Sequence, residues 1–343
     1  AVHRHSDILR ATVAHSGNDH RLGANEAPPA IISVFLGDQL ASILEAIEKG
    51  ENLKATDAAI IDLGLSSLPV VSKDNTDRNR TSPFAFTGNK FEFRAVGSSQ
   101  SISFPAAVLN LIVAESLDEL ADKIEKAGTS DLRKTIFDII RDELKTVKSV
   151  VFGGDNYSAE WHKEAEKRGL PNMRTTPEAL KSYNTEKAKR LFEKYKVLSP
   201  VELTSRYHIH LEKYCKQLDI EANAMYNIVS SQVLPVAYRF QKNIASSARE
   251  INGLVAEDVL KPQKDLLGRV SSLVSGIQND IAALRSSIEY ARDIEDEQAR
   301  AEAYCGKVKT AMSELRKKCD ELELMVDDEL WPLPKYWEML FLY

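Results

Sequence analysis

The residues best placed to do chemistry lie together in one short segment, residues 88–94, which reads Gly-Asn-Lys-Phe-Glu-Phe-Arg. In a β-strand successive side chains point to opposite faces, so Lys90, Glu92 and Arg94 would share one face at steps of about 7 Å. On the wall of a cleft, the carboxylate could hold a divalent cation while the two cations bind anionic oxygens. The same alternation also fits a solvent-exposed strand, and the segment alone leaves both interpretations open.

Two other polar segments could contribute to the same chemistry. Residues 77–82 contain Arg78 and Arg80, and the planar guanidinium group suits phosphate because it bonds two oxygens at once. Residues 18–29 contain Arg21 and Glu26, with a glycine in the middle and two prolines at the end. A segment of that kind can close over a substrate as a lid. Ordinary surface loops are the alternative interpretation for both segments.

Composition limits the classes of partner. The chain has 343 residues, of which 43% are hydrophobic and 28% charged, as in ordinary folded proteins. Its net charge of -6 disfavours nucleic-acid binding, because a surface that binds phosphate backbones is normally basic. No apolar run reaches the roughly 18 residues that span a bilayer, so no membrane partner is expected. Three widely spaced cysteines fit neither a disulfide framework nor a zinc site, which favours a cytoplasmic location and leaves a eukaryotic organelle open.

The secondary structure that must position the polar segments is predicted to change near residue 100, from mixed helices and strands to helices alone. Before it, helices are predicted over 2–15 and 39–48, and a strand over 31–36. Two further strands, 84–86 and 90–96, surround a turn at 87–89, and Phe91 and Phe93 are expected to be buried opposite the charged face. Beyond residue 103 the apolar spacing is almost entirely helical. The sequence therefore predicts an α+β fold.

The clearest pattern of the chain lies near its end. Two apolar stripes keep strict spacings of three and four residues, and a short acidic connection, 293–297, joins them. This arrangement predicts an antiparallel coiled-coil hairpin. The stripes consist of Leu267, Val270, Val274, Ile277, Ile281, Leu284, Ile288 and Ala291, then Ala301, Cys305, Val308, Met312, Leu315, Cys319, Leu322 and Val326.

Three motifs, in this order, resemble the glutamine synthetase family in its type III form. They are Arg21…Asn25-Glu26-Ala27-Pro28, then Asn79-Arg80, then Lys90-x-Glu92-x-Arg94, and the closing segment Leu330-Trp331-Pro332-Leu333-Pro334 adds to the resemblance. The resemblance implies that residues 1–129 are the C-terminal half of the catalytic domain, with part of its β-sheet or barrel. It also implies that residues 130–343 are the helical C-terminal region of type III, which ends in the coiled-coil hairpin.

The resemblance also implies a role for each matching residue. Glu92 corresponds to a ligand of Mg²⁺ or Mn²⁺. Arg21, Glu26 and Arg94 correspond to residues that bind glutamate, and Arg80 and Lys90 correspond to residues that bind ATP. Glu26 and Arg80 also correspond to the catalytic residues. Two positions depart from the family pattern. Lys90 stands where many members have arginine, and Ala85 stands where other types have a second phosphate-binding arginine. Either Lys90 or Arg78 could replace that arginine, and the sequence leaves this choice open.

The reaction that the resemblance implies is the ATP-dependent joining of ammonia to glutamate through γ-glutamyl phosphate, which gives glutamine in nitrogen assimilation. The family forms homo-oligomers of stacked rings, typically dodecamers. The family's other metal ligands and its N-terminal β domain would precede Ala1, so we expect this chain to be a fragment with about half a site and no activity alone. The alternatives are a non-catalytic scaffold or regulatory relative and a related glutamyl-amide ligase. The complete set of matched residues favours the enzyme.

Overall fold

The computed structural model describes residues 1–22, 28–51, 60–61, 71–72, 82–97, 99–128 and 131–340. Glu26, Arg78 and Arg80 lie outside the described residues. By its internal contacts the chain divides into two compact units, Ala1–Tyr207 and His208–Tyr343. The described part is mostly helical and contains a small mixed sheet, which confirms the predicted α+β class. No helix in this part is both long and apolar enough to cross a membrane.

The first unit contains the five described strands and seven of the described α-helices. Its strands are β1 (Val34–Phe35), β2 (Ile60–Ile61), β3 (Val71–Ser72), β4 (Phe84–Phe86) and β5 (Phe91–Phe93). Its helices are α1 (Val2–Ala11), α2 (Gly37–Lys49), α3 (Ser103–Ala127), α4 (Leu132–Val147), α5 (Ala159–Lys167), α6 (Thr176–Leu180) and α7 (Glu186–Lys194). Helix α8 (Pro200–Ile228) includes the division between the units. It is followed by α9 (Leu234–Ile251), α10 (Glu257–Arg292), α11 (Glu297–Ala303), α12 (Lys309–Glu323) and α13 (Tyr336–Leu340).

The three-stranded sheet has the order β1-β4-β5. Strand β1 is parallel to β4, and β4 is antiparallel to β5 with Ala85 opposite Glu92. Gly88 begins the turn between β4 and β5 with φ 93, a left-handed conformation that glycine adopts without steric cost. The amide of Phe152 donates to the carbonyl of Val34 at 3.0 Å on the other side of β1. The sheet thus places the Lys90–Arg94 segment on its outer described strand.

Several predicted elements are shorter in the structure. The helix predicted over 2–15 ends at Ala11, and a single 3₁₀ turn, Ser16–Asn18, follows it. The strands predicted over 31–36 and 90–96 pair only at Val34–Phe35 and Phe91–Phe93. A π-helical turn, Val229–Val233, lies directly before α9, which has Pro235 in its first turn. Proline has no N–H for an intrahelical bond, so a break in regular helix at this point is expected.

The two apolar stripes are buried in the second unit. Helix α10 packs against both α9 and α12, so its stripe has two helical neighbours. A π-helical turn, Tyr304–Val308, interrupts the second stripe between α11 and α12. Because of these features the two-helix coiled coil remains a prediction. The buried stripe residues are Val270, Val274, Ile277, Leu284, Ile288, Ala291, Ala301, Val308, Leu315, Cys319, Leu322 and Val326.

We expect Leu284→Asp to destabilise the second unit by about 3–5 kcal/mol, because it places an unpaired charge in a packed stripe. Leu284 is 0% exposed. Thermal or urea unfolding followed by circular dichroism would measure the loss. Ser286→Asp, on the exposed surface of the same helix turn, is the matched control and should change the free energy of unfolding by less than about 1 kcal/mol. Equal unfolding curves for the two variants would show that the stripe does not stabilise the unit.

Candidate active site

The β4–β5 hairpin brings three of the predicted site residues together. Lys90 Nζ lies 3.2 Å from Glu92 Oε1, and Arg94 Nη2 lies 3.5 Å from Glu92 Oε2. The hydroxyl of Thr87 donates to Glu92 Oε1 at 3.4 Å. Lys90 and Arg94 therefore lie on the two sides of one carboxylate, as the alternation of side chains in a strand requires.

Glu92 is held in its charged form. The hydrogen bond from Lys90 is the largest effect and lowers the pKa of Glu92, and the positive charges of Lys90 and Arg94 lower it further. Desolvation, the second-largest effect, raises the pKa, but the net shift is downward. A carboxylate must be deprotonated to bind a metal ion. Glu92 is thus ready to act as an oxygen ligand at neutral pH.

The three side chains differ in their access to solvent. The Lys90 side chain is 66% exposed, whereas that of Arg94 is only 19% exposed. The Lys90 ammonium, although paired with Glu92, is therefore accessible to an exposed group such as a phosphate, while Arg94 is confined beside the strand. A confined guanidinium group loses less conformational entropy when it binds a carboxylate.

The opposite face of the hairpin corrects one prediction. Phe91 is 48% exposed and Phe93 is half-buried, so the two phenylalanines are not the buried face that the alternation predicts. They pack on Phe84 instead, with ring centroids 5.8 and 6.1 Å away. In the described sheet β5 is the outer strand, and alternation alone does not specify what covers each face.

Ala85 lies directly across from Glu92 and is 0% exposed. Cross-strand partners share a face of the sheet, so Ala85 lies on the same face as the charged residues. An arginine side chain is much larger than that of alanine, so at this buried position it would fit only if the neighbouring side chains moved. Of the two residues predicted as replacements for that arginine, Lys90 lies in the described hairpin and Arg78 lies outside the described residues.

Arg21 follows the 3₁₀ turn Ser16–Asn18 and is half-buried. Its backbone amide donates to the carbonyl of Asn18 at 3.1 Å. Glu26 and Arg80 are outside the described residues, so their predicted places in the site remain predictions. The structure thus joins Lys90, Glu92 and Arg94 directly, and it shows how the backbone at Arg21 is fixed.

Two neighbours of Arg21 have structural contacts that their sequence pattern did not indicate. The side chain of Asn18 donates to backbone carbonyls, and the carboxylate of Asp19 accepts two hydrogen bonds from Thr176. Both residues belong to the segment that was interpreted only as a polar lid. Two adjacent short polar residues, with side chains suited to bonding the backbone, are the signal that could have indicated such anchors.

The residues present are compatible with a divalent metal ion. Among the described residues no group of three or more His, Cys, Asp or Glu side chains could hold one. Mg²⁺ is nevertheless often bound through one or two carboxylates together with water and substrate phosphates. The ionised Glu92, with cations beside it that can bind phosphate oxygens, fits one such ligand.

Comparisons with known proteins agree with this chemistry. Residues 135–252 match the family model described as the glutamine synthetase C-terminal domain. In an alignment of 347 residues that covers the whole chain, it is 46% identical to a type-3 glutamine synthetase of Dictyostelium discoideum. In an alignment of 349 residues that covers 99% of the chain, it is 36% identical to a glutamine synthetase of Bacteroides fragilis (strain YCH46). A glutamine synthetase of Butyrivibrio fibrisolvens is 33% identical over 341 residues, again 99% of the chain.

The chain spans 47–48% of the length of these curated relatives, about half. It belongs to the glutamine synthetase family. The predicted resemblance to the type III form is confirmed by the type-3 relative. The family match crosses the division at 207/208, and the predicted domain boundary at 129/130 remains a prediction.

Proposed function

We propose that the protein carrying this chain joins ammonia to glutamate at the expense of ATP and so makes glutamine. The observation that carries the proposal is the ionised Glu92 held between Lys90 and Arg94, in a chain similar along its whole length to a type-3 glutamine synthetase. We assign Glu92 to the metal ion, Mg²⁺ or Mn²⁺, and Arg94 to glutamate. Lys90 is assigned to the phosphates of ATP.

The reaction explains why the site needs these residue types. A carboxylate resists attack by ammonia, because an oxide ion is a poor leaving group. Transfer of the γ-phosphoryl group from ATP to the γ-carboxylate of glutamate gives γ-glutamyl phosphate and ADP. The ammonia nitrogen then forms a bond to the carbonyl carbon, phosphate leaves with the electrons of the broken C–O bond, and one proton is lost from nitrogen. A bound divalent cation would neutralise the negative charge that collects between the two anions.

The chain's own residues bind and orient the reactants in this scheme. Arg94 holds a carboxylate of glutamate from a rigid strand, and Arg21 binds the same substrate from its loop. Lys90 and Arg80 neutralise phosphate oxygens. Glu26 accepts the proton from nitrogen and, in a closing segment, helps to exclude water from the acyl phosphate.

The rest of the site is proposed to come from the portion of the relatives' length that this chain does not span, or from a neighbouring subunit. The partial exposure of the phenylalanine face of β5, where Phe91 is 48% exposed, is compatible with this proposal, because exposed apolar side chains are often covered by a further element. In this proposal the small sheet is part of a larger catalytic sheet or barrel. The protein is proposed to be a cytoplasmic homo-oligomer of stacked rings, with the coiled-coil hairpin serving assembly.

A direct assay tests the function. With ATP, glutamate, ammonium and Mg²⁺, the complete polypeptide should form glutamine, ADP and phosphate in equal amounts, whereas residues 1–343 alone should form none. Product would be measured by chromatography and phosphate release. Clear turnover by residues 1–343 alone would contradict the half-site. Folded complete protein without turnover would favour the scaffold or regulatory relative, and a preference for alkylamines over ammonium would favour a related glutamyl-amide ligase.

A further inference from the structure

Asn18 joins two segments of the site through its backbone and its side chain. The residue is 5% exposed. Its backbone carbonyl accepts hydrogen bonds from the amides of Arg21 at 3.1 Å and Leu22 at 3.0 Å. Its side-chain nitrogen Nδ2 donates to the carbonyl of Val13 at 2.7 Å and to the carbonyl of Val96 at 2.9 Å.

The hydrogen bond from Asn18 to Val96 is the contact that links the two segments. Val96 is buried and lies two residues beyond Arg94, on the segment that continues β5. Asn18 therefore connects the backbone of Arg21 to the segment that directly follows the strand carrying Glu92. The side-chain amide of asparagine has two N–H donors, and two backbone carbonyls use them here.

A separate set of contacts fixes the next residue to a different part of the same unit. Asp19 Oδ1 accepts hydrogen bonds from the amide of Thr176 at 2.8 Å and from its hydroxyl at 2.7 Å. Nearby, the buried Arg10 donates from Nε to the carbonyl of Met173 at 3.0 Å. Burial lowers the pKa of Arg10 to about 10, and the charge of Asp19 opposes that shift. Asp19 thus anchors the segment near α6, and Asn18 anchors it to the segment that follows β5.

We propose that Asn18 is a positioning residue for the glutamate site, because it holds Arg21 in a fixed place relative to Glu92 and Arg94. The inference rests on the proposed function, in which Arg21 and Arg94 bind one substrate molecule. Two arginines bind one small anion well only when their separation is fixed in advance, and a misplacement of about 1 Å can cost as much as a hundredfold in rate. Asn18 would act through Arg21 and would not touch glutamate itself.

Two substitutions test this role in the complete polypeptide. Asn18→Ala removes the side-chain donors, and Asn18→Asp keeps the size but replaces the donors with an acceptor-only carboxylate. Each should raise the KM for glutamate about tenfold or more and change the KM for ATP less than twofold. Ser33→Ala is the matched control, because it deletes a different buried hydrogen bond of the same unit, from Ser33 Oγ to Asn156 Oδ1 at 2.6 Å. It should leave both KM values within twofold.

A double-mutant cycle separates positioning from general destabilisation. If Asn18 acts through Arg21, then Asn18→Ala should add no more than a twofold change to the glutamate KM of an Arg21→Ala enzyme. An active wild type with unchanged glutamate KM in both Asn18 variants would overturn the inference and leave the function standing. So would loss of folding in both variants while Ser33→Ala folds. A folded but inactive wild type would overturn the function and this inference together.

Discussion

Glu92→Gln should lower kcat/KM for glutamine formation by the complete polypeptide at least a thousandfold and raise the Mg²⁺ concentration needed for half-maximal rate. Glutamine has nearly the same shape as glutamate, but it lacks the negative charge of the Glu92 carboxylate, which Lys90 and Arg94 stabilise. A metal ion that neutralises developing phosphoryl charge contributes several kcal/mol, and loss of a charged ligand removes much of that contribution. Initial rates measured over a Mg²⁺ series would show both effects.

The matched control for this prediction is Glu45→Gln. Glu45 also forms an ion pair, with Oε1 2.8 Å from Lys49 Nζ, and its pKa is likewise lowered by that lysine. It lies on α2, away from the hairpin, so its replacement should leave kcat/KM and the Mg²⁺ dependence unchanged. If Glu92→Gln behaved like Glu45→Gln, Glu92 would be an ordinary strand residue paired with its neighbours, which is the alternative that the sequence left open.

The hairpin shows which part of the site could be predicted from the sequence. Alternation places Lys90, Glu92 and Arg94 on one face whatever the surroundings, and Gly88 marks the turn because it adopts a positive φ. The burial of Phe91 was predicted wrongly, since burial depends on which elements cover the sheet. That information is not contained in the local pattern.

The helices could be predicted from local sequence patterns, whereas the hydrogen bonds that anchor the Arg21 segment could not. The stripes of α10 and α12 were predicted because helical spacing repeats over many residues and needs no knowledge of partners. The bond from Asn18 to Val96 connects positions 78 residues apart, and no local pattern specifies such a contact. The burial of Arg10 could not be predicted either. Its side chain is 1% exposed, although a charged residue on an amphipathic helix usually indicates the solvent-facing side.

The last prediction separates the two halves of the proposed reaction through Glu26 and Arg94. Arg94 directly follows strand β5 and lies beside Glu92, and its amide donates to the carbonyl of Pro83 at 2.8 Å, so it should bind glutamate before any chemistry occurs. We expect Arg94→Ala to raise the glutamate KM by roughly 10- to 100-fold, which corresponds to the loss of a charge-assisted hydrogen bond of about 1.5–3 kcal/mol. Arg94→Lys is the matched variant. It keeps the charge but loses the planar fork, and it should recover only part of the loss.

Glu26 is proposed to act later, on the ammonia half of the reaction. Glu26→Ala should therefore keep the glutamate and ATP KM values within about threefold, while glutamine synthesis falls about a hundredfold or more, the range of a lost general base. Because γ-glutamyl phosphate would still form and water would be excluded less well, ATP hydrolysis that depends on glutamate should persist without ammonium. Phosphate release measured with and without ammonium distinguishes the two variants. If Arg94→Ala uncoupled hydrolysis and Glu26→Ala changed only the glutamate KM, the two assignments would be reversed, and the substrate carboxylate would be bound by the lid rather than by the strand.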